Sequence, residues 1–89
     1  MANLCNIDGV LSEEADGRVP VLDRGFLFGD SIYEVVRTHD GVPLTWIEHW
    51  ARLQASAAGL QMELDLDEAT VARRIQATLD AADHGDSYV

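Results

Sequence analysis

The fold this sequence predicts is a small α+β domain, on three observations. The pairs Asp8-Gly9 and Asp40-Gly41 each separate short apolar stretches, the pattern of a tight β-hairpin. Two later segments repeat apolar residues every three or four positions, the pattern of helices with one buried face. No internal repeat or low-complexity tract divides the chain, so residues 1–89 read as one unit, antiparallel hairpins followed by two helices packed on them.

In chain order, residues 4–7 and 9–11 flank Asp8-Gly9 and predict the first hairpin. Residues 12–18 are polar and loose, and residues 19–22 run extended because Pro20 disfavours helix at its predecessor. Asp23, Arg24 and Gly25 then read as a turn held by local hydrogen bonds. Residues 31–38 are rich in β-formers and predict a strand. Alternation puts Ile32, Glu34 and Val36 on one face and Tyr33, Val35 and Arg37 on the other, with either face able to be the core. Residues 40–43 turn the chain and Leu44 starts back, a second hairpin. Thr45 and Glu48 have the spacing of a capping box, which starts a helix at Trp46. Its stripe is Trp46, Trp50, Leu53, Ala57 and Leu60, with Gly59 as terminator. Asp67 caps a second helix, with Leu66 and Val71 in staple positions and Val71, Ile75, Leu79 and Ala82 on its buried side. Residues 87–89 read as the start of another strand, whose edge needs covering.

The chain has 89 residues, 47% of them hydrophobic and 25% charged, which suits one small domain with a packed core rather than disorder. At this length only about 60 to 65% of the unfolded surface is buried on folding, so stability on its own is marginal. A net charge of −10 repels phosphate backbones and anionic lipid, which argues against nucleic acid or membrane as partner. No apolar run approaches the roughly 20 residues of a membrane span, and the first eight residues lack a targeting pattern, so a cytoplasmic location is expected. The single Cys5 has no sequence neighbour that would activate it and reads as a small packed residue. His39, His49 and His84 lack ligand spacing, and no metal is predicted. The FGDS stretch at 28–31 lacks the glycine spacing of a nucleotide cradle.

Two groups of residues are candidates for chemistry. Arg52 carries a guanidinium suited to a dianionic phosphate, although Glu48, four residues earlier, offers an ordinary surface ion pair instead. His49 lies three residues before Arg52 and could support such a site or simply be a packed histidine. Tyr33, Val35 and Arg37 share one strand face and present a phenol, an apolar surface and a cation, which could line a pocket or form a half-buried face with a snorkelling Arg.

The order and spacing of DRGFLFGDSIYEVVR at residues 23–37, a glycine-bearing turn, and EHWARL at 48–53 resemble the N-terminal signature of the class IV aminotransferases, the fold type IV pyridoxal-phosphate enzymes. The resemblance runs from about residue 8 to 89 and covers only the smaller N-terminal domain of that two-domain family. It implies that Arg52 binds the phosphate of pyridoxal 5'-phosphate. It also implies a substrate face of Tyr33, Val35 and Arg37, with the Phe28 segment forming part of the pocket and in some members reaching across a homodimer. A Tyr matching Tyr33 binds the substrate carboxylate in D-amino-acid enzymes, and Val35 matches that group where branched-chain enzymes typically carry Gly. The implied reaction moves an amino group between an amino acid, of D- or branched-chain type, or an amine, and a 2-oxo acid. The catalytic Lys of the family lies in the later domain. All six basic residues here are Arg, so these 89 residues are expected to be inactive alone and to work with a C-terminal domain or fragment. The alternatives are a non-catalytic interaction or assembly module, and an aminodeoxychorismate lyase, which residues 33–37 fit less well.

Overall fold

The computed structural model of the chain describes residues 3–89, so the reading of Met1 and Ala2 lies outside it. Two antiparallel hairpins and two long helices give the α+β arrangement expected. Strands β1 (Leu4–Ile7) and β2 (Val10–Glu13) pair with Leu4 opposite Glu13 and Ile7 opposite Val10. The turn between them needs left-handed backbone at both central residues, and Asp8 (φ 54°) and Gly9 (φ 88°) supply it. A short 3-10 turn, Glu14–Asp16, follows β2.

Residues 23–25, expected to be a turn, instead begin the five-residue helix α1 (Arg24–Phe28). The Asp23 carboxylate accepts from the Gly25 amide at 2.9 Å, and Gly29 closes the helix at φ 74°. The strand expected over residues 31–38 is also corrected. Only its C-terminal half is paired: Val36 and Val89 exchange amide-to-carbonyl bonds of 2.7 and 2.9 Å, Arg37 bridges Tyr88, and the Thr38 amide donates to the Ser87 carbonyl at 2.8 Å. Among the described residues nothing pairs with the backbone of residues 32–35, so an extended segment with strand character has no ladder to join. The edge expected at residues 87–89 is thereby covered on one side.

The second hairpin joins β3 (Thr38–His39) to β4 (Val42–Pro43), with Asp40 and Gly41 at φ 49° and 76°. The return strand thus starts two residues before Leu44, because the two-residue turn closes at Gly41.

Helix α2 (Trp46–Gly59) begins where expected but without the capping box. Thr45 is itself left-handed (φ 51°, ψ 39°), and its hydroxyl donates to the Leu44 carbonyl at 2.7 Å and makes no bond to the helix amides. Gly59 is the last helical residue rather than the terminator. The left-handed residue is Gln61. Helix α3 (Glu68–Ala82) is capped as predicted, the Asp67 carboxylate accepting from the Thr70 amide at 2.7 Å. Hydrogen bonds from the Thr70 side chain and then its amide hold the Asp67 carboxyl below its usual value.

α3 packs on β1, where the Asn6 amide donates to the Arg74 carbonyl (3.3 Å) and to the Thr78 hydroxyl (3.1 Å). Trp46 ties α2 to α3 through a hydrogen bond from its indole to Glu68, and its ring tilts 36° against Trp50 at 6.0 Å. The packed core expected from composition is thin. Among the described residues only Val36, Thr38 and Ala57 are fully buried, and the helix stripes are half-buried, with Leu60 exposed. α3 covers β1, while β2 is mostly exposed. Thr38 tolerates burial because its hydroxyl meets the Ser87 hydroxyl and amide at 3.0 and 2.9 Å and the Gly85 carbonyl at 3.1 Å.

Candidate functional site

Alternation along residues 32–38 decides which face is inward. Ile32, Glu34, Val36 and Thr38 turn to the protein, whereas Tyr33, Val35 and Arg37 turn to solvent, Tyr33 with 82% of its surface exposed. An acidic residue therefore sits on the inward face. It is met there by α2, whose residues 49 and 52 lie one turn apart on a common side.

The meeting produces a three-residue cluster. Glu34 Oε1 accepts from Arg52 Nε at 3.0 Å and Nη2 at 2.9 Å, and lies 2.7 Å from His49 Nδ1. Glu34 and His49 are mostly covered, at 19% and 15% side-chain exposure, while the Arg52 side chain is 67% exposed. The hydrogen bond from His49 is the main cause that draws the Glu34 carboxyl below its usual range, with desolvation opposing it and Arg52 assisting. Arg52 Nη2 also lies 3.0 Å from His49 Nδ1. One ring nitrogen cannot both donate to a carboxylate and accept from a guanidinium, so ionised Glu34 selects the form with the proton on Nδ1. The fork to Glu34 uses Nε and Nη2 and leaves Nη1 outside it.

The ion pair of Arg52 is thus with Glu34 across two elements, not with Glu48 on its own helix. Sequence reasoning did not single out Glu34. The sequence carried half of its signal, a carboxylate between Ile32 and Val36, but not which face of the segment the next helix covers. His49 is, with Glu34, one of the two mostly covered members of the cluster rather than an isolated packed histidine.

The other candidates lie apart from this cluster. Tyr33, Val35 and Arg37 share the opposite, outward side of the segment, and Phe28 lies at the end of α1, exposed, with the Arg24 guanidinium 5.2 Å from its ring centre. Clefts of about 360 and 390 Å³ lie elsewhere: one beside Arg24, Asp30 and Gln61, the other between β1 and α3. At an exposed corner His39, Asp40 and Asp86 bring one ligand-type atom each within 4.8 Å of one another. The Asp40 amide donates to Asp86 Oδ1 at 2.9 Å there, a clasp between the second hairpin and the loop after α3. Among the described residues, no helix is long and apolar enough to cross a membrane.

The sequence that carries this cluster matches known proteins. Residues 31–89 match the family model for class IV amino-transferases, and the chain belongs to that family. It is 38% identical over 73 residues to the D-alanine aminotransferase of Bacillus licheniformis, covering 82% of this chain and 26% of that protein. It is 44% identical over 61 residues to the D-alanine aminotransferase of Listeria innocua, covering 68% of this chain and 21% of that protein. A putative branched-chain-amino-acid aminotransferase of Methanocaldococcus jannaschii is 32% identical over 83 residues, 93% of this chain and 29% of that protein. The chain therefore spans about a quarter of the length of the curated relatives it matches.

Proposed function

We propose that this chain supplies the N-terminal part of a pyridoxal-phosphate-dependent transaminase, with Arg52 as its phosphate-binding residue. The observation that carries the reading is the Arg52 guanidinium, held by Glu34 through Nε and Nη2 on a side chain that is 67% exposed. A fork with Nη1 outside that contact can receive a phosphate oxygen and balance part of its charge. The donor set fits the phosphate half of the cofactor. For the aldehyde half the chain has no amine to offer from a Lys, since its basic residues are all Arg. When bound, pyridoxal phosphate supplies the electron sink for moving an amino group.

The remaining roles fall to the outward face. Arg37 and the Tyr33 hydroxyl orient a substrate carboxylate, Val35 gives an apolar wall, and Phe28 adds an exposed aromatic edge to the pocket. Val35 and Tyr33, together with the D-alanine aminotransferases among the relatives, favour D-amino acids over branched-chain substrates, with a 2-oxo acid as acceptor. Neither face is enclosed by the described residues. In this reading the enclosure and the catalytic Lys come from a C-terminal domain or fragment and from a second subunit of a homodimer.

Pyridoxamine 5'-phosphate is the probe of choice, because it needs no Lys to be held and does not react with the chain's amino terminus. Titration followed by phosphorus NMR should show saturable binding that Arg52→Ala weakens about tenfold to a hundredfold, the loss of charge-assisted hydrogen bonds to a phosphate. Equal binding by the two chains would overturn the phosphate assignment and leave an assembly module as the better reading. The partner is tested by purifying the protein from its own cells. A Lys-bearing polypeptide that travels with it, carrying a borohydride-reducible cofactor, is the expected result.

A further inference from the structure

We infer that Glu34 is a positioning residue for this site, fixing the Arg52 guanidinium in its phosphate-facing orientation and setting the proton of His49 on Nδ1. The inference rests on the phosphate reading of Arg52 and adds to it a residue that contacts neither cofactor nor substrate.

Three donors converge on one oxygen of Glu34, Arg52 Nε and Nη2 at 3.0 and 2.9 Å and His49 Nδ1 at 2.7 Å. An Arg side chain that is 67% exposed would otherwise sample many rotamers, each of which must be given up when an anion binds. Gripping Nε and Nη2 together removes rotation about the last bonds and points the free edge in one direction. The carboxylate and imidazole that do the gripping are the two covered members of the cluster, so their own positions are set by packing. Because Nδ1 carries the proton toward Glu34, Nε2 of the neutral ring is left as the acceptor, and Nη2 of Arg52 has no partner at Nδ1 to draw it away from Glu34.

The proposal makes a claim about sign. A negative charge beside Arg52 opposes the binding of a dianion, so if Glu34 acted only as a charge, its removal would tighten binding. If it acts by holding geometry, removal weakens binding. The full 89-residue chain is compared with Glu34→Gln and Glu34→Asp, with pyridoxamine 5'-phosphate as ligand. About 0.5 M salt, where screening extends only about 4 Å, reduces the charge effect and leaves the geometric one.

The expected result is a loss of about three- to tenfold in affinity for Glu34→Gln, the cost of ordering one freed long side chain, with partial recovery in Glu34→Asp. Nitrogen-15 spectra give the second readout. At about pH 8 the native chain should show His49 protonated on Nδ1 and a slowly exchanging Arg52 Nε–H. In Glu34→Gln the His49 proton should redistribute toward Nε2 and the Arg52 signal should exchange faster.

Unchanged or tighter binding by Glu34→Gln overturns the proposal. So does a native His49 protonated on Nε2, a measurement that needs no variant and stands even if Glu34→Gln does not fold. Absence of ligand binding by the native chain, with the nitrogen signals still responding to Glu34→Gln, would remove the phosphate reading of Arg52 and with it the proposal, leaving only a structural grip of Glu34 on Arg52 and His49.

Discussion

Glu34 shows what a single carboxylate does when its neighbours are donors. Its proton affinity is drawn down because the ionised form takes hydrogen bonds from His49 and Arg52 that the neutral form would lose. A group whose folded pKa is depressed stabilises the fold above its unfolded pKa, about 4.3 for Glu, and loses that contribution as pH falls through the folded value. Melting temperatures of the native chain and Glu34→Gln should therefore differ near neutrality and converge as the pH drops below about 4. A difference that stays constant to low pH would mean that the cluster does not depend on the Glu34 charge. At this scale legibility was uneven. Arg52 was singled out by the resemblance of its EHxxR frame, while spacing alone offered an ion pair with Glu48 that the structure replaces by one with Glu34. Glu34 stayed hidden because alternation alone could not say which face of residues 31–38 was inward. That choice is made by the bonds to residues 87–89 and by α2, both distant in sequence.

The elements that were read correctly are those whose cause is local. Asp8-Gly9 and Asp40-Gly41 fix both hairpins because the turn needs consecutive positive φ values that few dipeptides accept. Asp67 caps α3 by a bond three residues long. Helix α1 was read as a turn although its bounds, Asp23 and Gly29, are residues suited to capping. Five residues are too few for a periodic signal to emerge between them. Thr45 failed as a cap for a different reason. The chain leaves β4 and must reverse into α2 within two residues, and the reversal takes Thr45 into the left-handed region, which a β-branched residue enters at a cost of roughly 1–2 kcal/mol. Thr45→Gly should consequently stabilise the chain by about 0.5–1 kcal/mol after the greater freedom of Gly in the unfolded chain is counted. Urea denaturation gives the value. A loss of stability in that variant would show that the Thr45 hydroxyl bond to Leu44 outweighs the strain.

At the scale of the whole molecule, the chain exposes 6517 Å², whereas a compact chain of its mass exposes about 5,200 Å². The excess, about 1,300 Å², is more than the roughly 800 Å² that one partner contributes to a standard-size protein interface. Leu22, Phe26, Phe28 and Tyr33 are all at least 66% exposed, and Val35 is exposed with them, large apolar side chains that this chain leaves uncovered. Composition could not reveal this, since a content of 47% hydrophobic residues says how much apolar surface exists and not whether one chain is able to cover it. The isolated chain should take up a hydrophobic dye at neutral pH and self-associate as its concentration rises, which fluorescence and sedimentation velocity would record. A monomer with a sharp cooperative melt and no dye uptake would contradict this uncovered apolar surface.

The pairing of residues 36–38 with residues 87–89 also sets an order of events. Each hairpin and each helix closes contacts within a few residues, but Thr38 must wait for Ser87, 49 positions later, before its buried hydroxyl has a partner. On a ribosome, α2 and α3 are both synthesised before the segment that carries Glu34 is locked in place. The buried side of residues 36–38 is accordingly completed only once residues 85–89 are in place.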